Sequence, residues 1–298
     1  MILFRNVPHI FKNCPGLIST TFLRSISVSQ ESSNELIYEK LEGDSKGISI
    51  IGMNRPKAKN SFSKNQLARF EDILNQVKYD PELRCVVVRS MVPGIFCAGA
   101  DLKERAEMPA KDVGPFVAKL RAMITEIQDL PVPTIAALDG AALGGGLELA
   151  LACDMRVAST TAKMGLVETR LAIIPGGGGT QRLPRIVGPA LAKELIFTGR
   201  VIDGKEASQI CLVNHAVEQN NAGDAAYQRA LDLAQEISTQ GPIALRMAKQ
   251  SINKGCEVDL ASGLAFEQAY YAQVINTKDR MEGLMAFKEK RLPVYKGH

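Results

Sequence analysis

The 298-residue chain has no tryptophan, three histidines and only 5% aromatic residues. Because His9, His215 and His298 are scattered, a Ser-His-Asp triad or a histidine-built metal cluster has almost no material. The cysteines at 14, 85, 97, 153, 211 and 256 show no CxxC spacing. Several sit in apolar runs such as Leu151-Ala-Cys-Asp154 and read as reduced, buried small hydrophobes. Also missing is any run of roughly 18 to 20 uncharged apolar residues, the length a membrane span needs. The apolar stretches around Leu143 and Ile173 are broken by Glu148, Arg170 and glycines. No GxxxxGK[ST] occurs, and no GxGxxG follows a strand with an acidic residue about 20 positions on, which disfavours those modes of nucleotide binding.

Acidic residues are absent from the first 30 positions, which hold Arg5, Lys12 and Arg24 among many serines and threonines. That composition reads as a mitochondrial transit peptide, with cleavage expected between Arg24 and Ser29. Its loss takes three of the 36 basic residues and leaves them almost level with the 32 acidic ones. A near-neutral chain lacks the overall basic balance of a nucleic-acid binder. What the sequence does have is apolar material, 46% of residues, ample for a core.

Leu36 to Glu42 and Ile48 to Met53 flank a Gly43 to Gly47 turn and predict a β-hairpin. Leu67, Phe70, Ile73, Leu74 and Val77 recur at helical spacing between Ser63 and Tyr79, before a strand over Arg84 to Ser90. A long loop is expected over Met91 to Glu107, followed by a helix over Asp112 to Asp129 and a strand over Thr134 to Leu138. Gly144 to Ala152 should open a helix, Asp154 to Ala158 a further strand, and Asp203-Gly-Lys-Glu206 a capped short helix. From Asp224 the pattern is helical only: Asp224 to Ser238, Pro242 to Lys254, Val258 to Ile275 and Lys278 to Glu289. The class is α/β. The expected division is a transit peptide over 1–30, a core over 31–222 and a helical C-terminal region over 223–298.

Two glycine-rich stretches each carry one acid in apolar surroundings: Glu148 in Ala141 to Ala150, and Glu168 in Met164 to Leu183. Glu148 could be a structural carboxylate held by a salt bridge or a cap, and Glu168 could pair with Arg170 or Lys163. If both are buried together, their pKa values rise into the range useful for acid/base chemistry. A third stretch, Gly94 to Glu104, is a small-residue loop whose N–H groups have few side chains to hide them. With the Gly144-Gly-Gly146 helix start it could aim two N–H groups at one oxygen as an oxyanion hole. The Pro175 to Gly179 run reads as a pocket wall.

Together Asn54-Arg-Pro56, Phe96-Cys-Ala-Gly-Ala-Asp101, Ala142-Leu-Gly-Gly-Gly-Leu-Glu148, Glu168 and Ile174-Pro-Gly-Gly-Gly-Gly-Thr-Gln-Arg182 resemble the enoyl-CoA hydratase/isomerase (crotonase) family over residues 35 to 298. The resemblance implies a spiral of ββα units, a helical C-terminal trimerisation region and a hexamer built as a dimer of trimers. It implies a thioester oxygen held between the N–H groups of Ala100 and Gly145, with Glu148 and Glu168 holding a water for addition across the α,β double bond. No metal and no redox cofactor is required, coenzyme A being part of the substrate. Ala98, Gly99 and Asp101 would line the substrate site. By position match, Lys57, Lys103 and Lys290 would meet the CoA phosphates and Phe287 the adenine.

Within the family, the wording of Val92 to Arg105 and Lys163 to Thr169 looks closest to members acting on 3-methylglutaconyl-CoA in the mitochondrial matrix. General short-chain enoyl-CoA hydration is the alternative. An RNA-binding role, associated in that branch with a lysine-rich helix, is disfavoured. Here the matching stretch sets Lys64, Arg69, Lys78 and Arg84 against Glu71, Asp72, Asp80 and Glu82, and phosphate neutralisation supplies most non-specific nucleic-acid affinity.

Overall fold

The structure, a computed structural model, describes residues 35–298. The expected transit peptide over 1–30 lies outside the described residues. The first hairpin forms as the sequence predicts: β1 (Leu36–Lys40) and β2 (Ile48–Met53) pair antiparallel, with Leu36 opposite Met53. Helix α1 (Lys64–Lys78) starts where the Ser63 side chain accepts from the Gln66 N–H, so a serine N-cap satisfies one orphan donor. Strand β3 (Cys85–Ser90) then lies parallel to β2.

Strand pairs and helices alternate from there on. After β4 (Ile95–Cys97) come α2 (Leu102–Glu107) and α3 (Ala110–Gln128), then β5 (Thr134–Leu138), β6 (Ala141–Leu143) and α4 (Gly145–Ala152). Next are β7 (Met155–Ser159), β8 (Lys163–Gly165), α5 (Gly179–Val187), α6 (Pro189–Thr198), β9 (Ile202–Asp203), α7 (Gly204–Gln209) and β10 (His215–Val217). The chain finishes with α8 (Ala225–Ser238), α9 (Pro242–Gly255), α10 (Leu260–Val274) and α11 (Lys278–Glu289).

Six strands form one sheet in the order β1-β2-β3-β5-β7-β10, and four form a second in the order β4-β6-β8-β9. In each of the pairs β3/β4, β5/β6 and β7/β8 the first strand joins the large sheet and the second the small one, with helices following. Each turn of the chain therefore adds one strand to each sheet, which is the expected spiral of ββα units. Central strands of the large sheet are buried on both faces, as parallel strands require. Alternate side chains feed different cores. Ile51, Met53, Val86, Val88, Ala136 and Leu138 join the main core with α1 and α3. Ile48, Ile50, Cys85, Val87, Ile135 and Ala137 face α8, whose Ala226, Ala230 and Ala234 are fully buried at helical spacing.

Several expectations need correction. The expected loop over residues 91–107 contains β4 and α2, and the stretch after β7 contains β8, α5 and α6. Strands of three residues leave no period to read, and Pro184 inside α5 obscures that helix. The expected boundary at residue 223 falls just before α8, which covers the large sheet, and the described residues hold together as one compact unit. Cys85, Cys97 and Cys153 are buried, and burial pushes their thiols up to about 12. Cys211 and Cys256 are exposed, contrary to the expectation of buried thiols, and all five are free.

Candidate active site

The small-residue loop after β4 is held in place by polar side chains from the segment that follows β2. Asn60 is fully buried; its amide donates to the Phe96 carbonyl at 3.0 Å and to Ser90 Oγ at 2.8 Å. Arg55 reaches Asp101 Oδ2 at 3.0 Å, Glu35 Oε1 at 3.1 Å and the Ser61 carbonyl at 2.8 Å. Asp101 also accepts from the N–H groups of Lys103 and Glu104 at the start of α2. Its carboxyl is therefore a helix cap and an ion-pair partner outside the cavity wall, which corrects its expected place in the substrate site.

Phe62 N–H donates to the Gly99 carbonyl, and Asp101 N–H donates to the Phe62 carbonyl. That register skips Ala100, whose N–H has no hydrogen-bond partner among the described residues. Gly145, the first residue of α4, has the unpaired N–H of any helix start. The two backbones meet at Gly99, where an added Cβ would stand 2.9 Å from the Leu143 carbonyl oxygen and 3.1 Å from the Gly145 nitrogen. Two unsatisfied N–H groups thus border the same space, at the positive end of the α4 dipole.

Every residue of α4 is buried, and Glu148 is its only charge at 2% exposure. Its Oε1 accepts from the N–H of Gly177 at 2.8 Å and of Gly179 at 2.7 Å. A Cβ on Gly177 would lie 2.7 Å from Glu148 Oε2, so the backbone approaches this closely only without a side chain. The glycine run expected to be a plain wall is the hydrogen-bonding cradle of the buried acid. Burial raises the Glu148 pKa, and the two N–H bonds and the charges of Arg182 and Arg121 oppose that rise.

Arg182 fixes the cradle from behind, donating to the Gly177 carbonyl at 2.9 Å, Gln128 Oε1 at 2.7 Å and Thr125 Oγ1 at 3.2 Å. Replacing Arg182 by Gln is expected to lower kcat by roughly 10²-fold through misplacement of Glu148. It should also move the acid limb of the pH profile upward, because a cation that favours the Glu148 carboxylate is gone. A variant with lowered kcat and an unmoved profile would contradict that electrostatic link.

Glu168 opens a single 3-10 turn, Glu168–Leu171, directly after β8. Neither expected structural partner holds it: Lys163 pairs with Asp203 at 4.0 Å, and the Arg170 side chain packs against Gly199. Its Oε2 is buried without a hydrogen-bond partner among the described residues. Burial first, then the neighbouring Glu148 charge, pushes its carboxyl up to about 7. An unpartnered buried acid is costly to keep, and it is the state in which a carboxyl donates a proton near neutral pH.

Glu148, Glu168, Ala98, Gly99, Ala100 and Gly145 all line one cavity of about 560 Å³. Its remaining wall includes Val117, Leu120, Leu171, Ile173 and Ile174, with Arg105 and Arg121. A larger space of about 690 Å³ lies elsewhere, but its main acid, Asp154, is already neutralised by Lys249 at 2.8 Å. Of these two spaces, the smaller combines an acid pair with unpaired N–H donors. Among the described residues no group of His, Cys, Asp or Glu is arranged to hold a metal ion.

Lys57, Lys103, Phe287 and Lys290 do not line the cavity. Lys57 and Lys103 are exposed, Phe287 is 85% exposed on α11, and Lys290 is the left-handed C-cap of the same helix. The sequence assigned no role to Asn60 or Arg182 and marked Gly177 and Gly179 only as pocket wall. The only signal for them was the family wording of the stretches in which Arg182 and the glycines lie.

The enoyl-CoA hydratase/isomerase family model matches residues 43–298. The chain is 62% identical over 274 residues to "Methylglutaconyl-CoA hydratase, mitochondrial" of Rattus norvegicus, covering 92% of this chain and 87% of that protein. It is 56% identical over 263 residues to "Enoyl-CoA hydratase domain-containing protein 2, mitochondrial" of Mus musculus, covering 88% and 89%. Among solved structures, an enoyl-CoA hydratase from Bacillus anthracis superposes with a TM-score of 0.84 at 45% identity, over 89% of this chain and all of that one. By the family match, this identity and a shared crotonase fold, the chain belongs to the enoyl-CoA hydratase/isomerase family.

Proposed function

We propose that the protein adds water across the α,β double bond of an enoyl-CoA thioester, and that its substrate is 3-methylglutaconyl-CoA, hydrated to 3-hydroxy-3-methylglutaryl-CoA in leucine breakdown. The observation that carries the chemistry is the acid pair, Glu148 and Glu168, facing one cavity beside two unpaired backbone N–H groups. The name printed for the mammalian relatives supports the acyl preference.

The environments assign the roles. Glu148, with one oxygen fixed by two N–H bonds, is the base that takes a proton from water as the water oxygen bonds to C3. Glu168, the more readily protonated of the two, gives its proton to C2. The electron pair of the double bond moves toward the thioester oxygen, where the Ala100 and Gly145 N–H groups hold the developing charge. The proton on Glu148 then returns to Glu168 through solvent, and the sum is one water added. No metal or redox cofactor enters this sequence.

Steady-state hydration of a panel of enoyl-CoA thioesters tests the substrate. A kcat/KM for 3-methylglutaconyl-CoA about tenfold or more above that for crotonyl-CoA is expected. A preference for the straight chain would overturn it and leave the general short-chain hydratase.

The mitochondrial names of the relatives and the acid-free first 30 residues support a mitochondrial protein and, more finely, a matrix location after cleavage. Helices α9 to α11 are the proposed oligomerisation region. Helix α10 has no buried residue and presents Leu260, Leu264, Phe266 and Tyr271 to solvent, an apolar patch of the kind that marks a protein interface. Light scattering of the mature protein is expected to give the mass of a hexamer, a dimer of trimers; a monomer would contradict it.

A further inference from the structure

We infer that Arg121 recognises a carboxylate at the far end of the acyl chain and sets the enzyme's preference for carboxylated enoyl-CoA substrates; this rests on the hydratase function proposed above. A dicarboxylic acyl chain poses an electrostatic problem here. In a five-carbon glutaconyl skeleton the free carboxylate lies two bonds from C3, the carbon that water attacks, and so close to both Glu148 and Glu168. A second anion beside the Glu148 carboxylate is repelled, and holds the Glu168 proton still tighter, unless a cation joins them. An uncharged enoyl chain has no such need.

Two cations line the cavity, Arg105 and Arg121. Arg121 sits on α3 with Val117 and Leu120; Leu120 and Arg121 follow Val117 by three and four residues, so both share with it the helix face turned to the cavity. Its Nε donates to the Gly176 carbonyl at 2.8 Å. Gly176 precedes Gly177, whose N–H holds Glu148, so the guanidinium is fixed relative to the base by a single peptide unit. That bond uses one donor and leaves the two terminal nitrogens, the fork that binds a carboxylate bidentately. Apart from Arg105 and the two glutamates, the side chains of the surrounding wall are apolar, among them Val117, Leu120, Leu171, Ile173 and Ile174. A few placed polar groups in an apolar wall are what fix a ligand's orientation.

Arg105 fits this role less well. It lies on α2, immediately after the Ala98 to Ala100 loop and thus on the thioester side, and its guanidinium lies 5.6 Å from the Phe116 ring centre. Lys103, on the same helix as Arg105, does not line the cavity.

The test compares kcat/KM for 3-methylglutaconyl-CoA and for the uncharged 3-methylcrotonyl-CoA in the full-length mature enzyme and in Arg121→Gln, Arg121→Lys and Arg105→Gln. Arg121→Gln is expected to lower kcat/KM for the carboxylated substrate by roughly 30-fold more than for the uncharged one, the size of a charged hydrogen bond. Arg121→Lys should recover part of that ratio, since it keeps the charge but not the fork, and Arg105→Gln should keep the wild-type ratio. A merely structural role of Arg121 would lower both substrates alike and leave the ratio unchanged, which overturns the assignment, as does loss of the ratio in Arg105→Gln alone. A wild-type enzyme with no preference for the carboxylated substrate overturns both the inference and the substrate proposed above. A wild-type preference that survives in Arg121→Gln overturns the inference only.

Discussion

Glu148→Gln and Glu168→Gln are each expected to yield a folded protein whose hydration turnover is about 10³-fold below wild type, within the range that a positioned acid or base supplies. Glutamine keeps the size of the side chain, and at 148 it keeps an oxygen for the N–H groups of Gly177 and Gly179. The two variants should differ in stability. Glu168 has its carboxyl raised from 4.5 to about 7 by burial and by the Glu148 charge. The stability associated with its proton is fully present below pH 4.5 and is lost as pH rises through 7, so above that the wild-type fold carries a buried, unpartnered charge. Glu168→Gln removes this penalty and should be more stable than wild type at pH 8 by about 2 to 3 kcal/mol, with no difference near pH 4. Urea denaturation at the two pH values measures it. A variant destabilised at pH 8, or one with full turnover, would contradict the role given to Glu168.

Gly99→Ala is expected to cost about 10²-fold in kcat with a smaller change in substrate affinity, the scale of losing one oxyanion donor. Gly99 has φ +92°, in the left-handed region that alanine rarely adopts. Its added Cβ would press on the Leu143 carbonyl at 2.9 Å and the Gly145 nitrogen at 3.1 Å. The contact that brings Ala100 and Gly145 to one oxygen must open, while Glu148 and Glu168 stay where α4 and β8 put them. Near-UV circular dichroism checks that the fold survives. Unchanged kcat in a folded variant would show that these two donors do not act together.

Much of the α/β order was legible because its long elements carry a period. The Leu67 to Val77 spacing, the buried runs of β2 and β3 and the C-terminal helices all stand within a few residues of where the sequence places them. Short elements were not, since β4, β6 and β8 have three residues each and are defined by their pairing within the small sheet. The paired acids were visible as lone charges in apolar, glycine-rich surroundings. Their support was not, because the cradle for Glu148 is made of backbone N–H groups 29 and 31 residues away in sequence. Asp101 illustrates the converse error: a carboxylate inside a recognisable motif turned out to hold Arg55 and cap α2.

The most direct measurement is a crystal structure of the mature enzyme with the hydrated acyl-CoA product bound. The thioester oxygen is expected roughly 3 Å from the nitrogens of both Ala100 and Gly145, and the new C3 hydroxyl between the carboxyl groups of Glu148 and Glu168. A thioester oxygen bound away from those two N–H groups, or a hydroxyl out of reach of either acid, would contradict it.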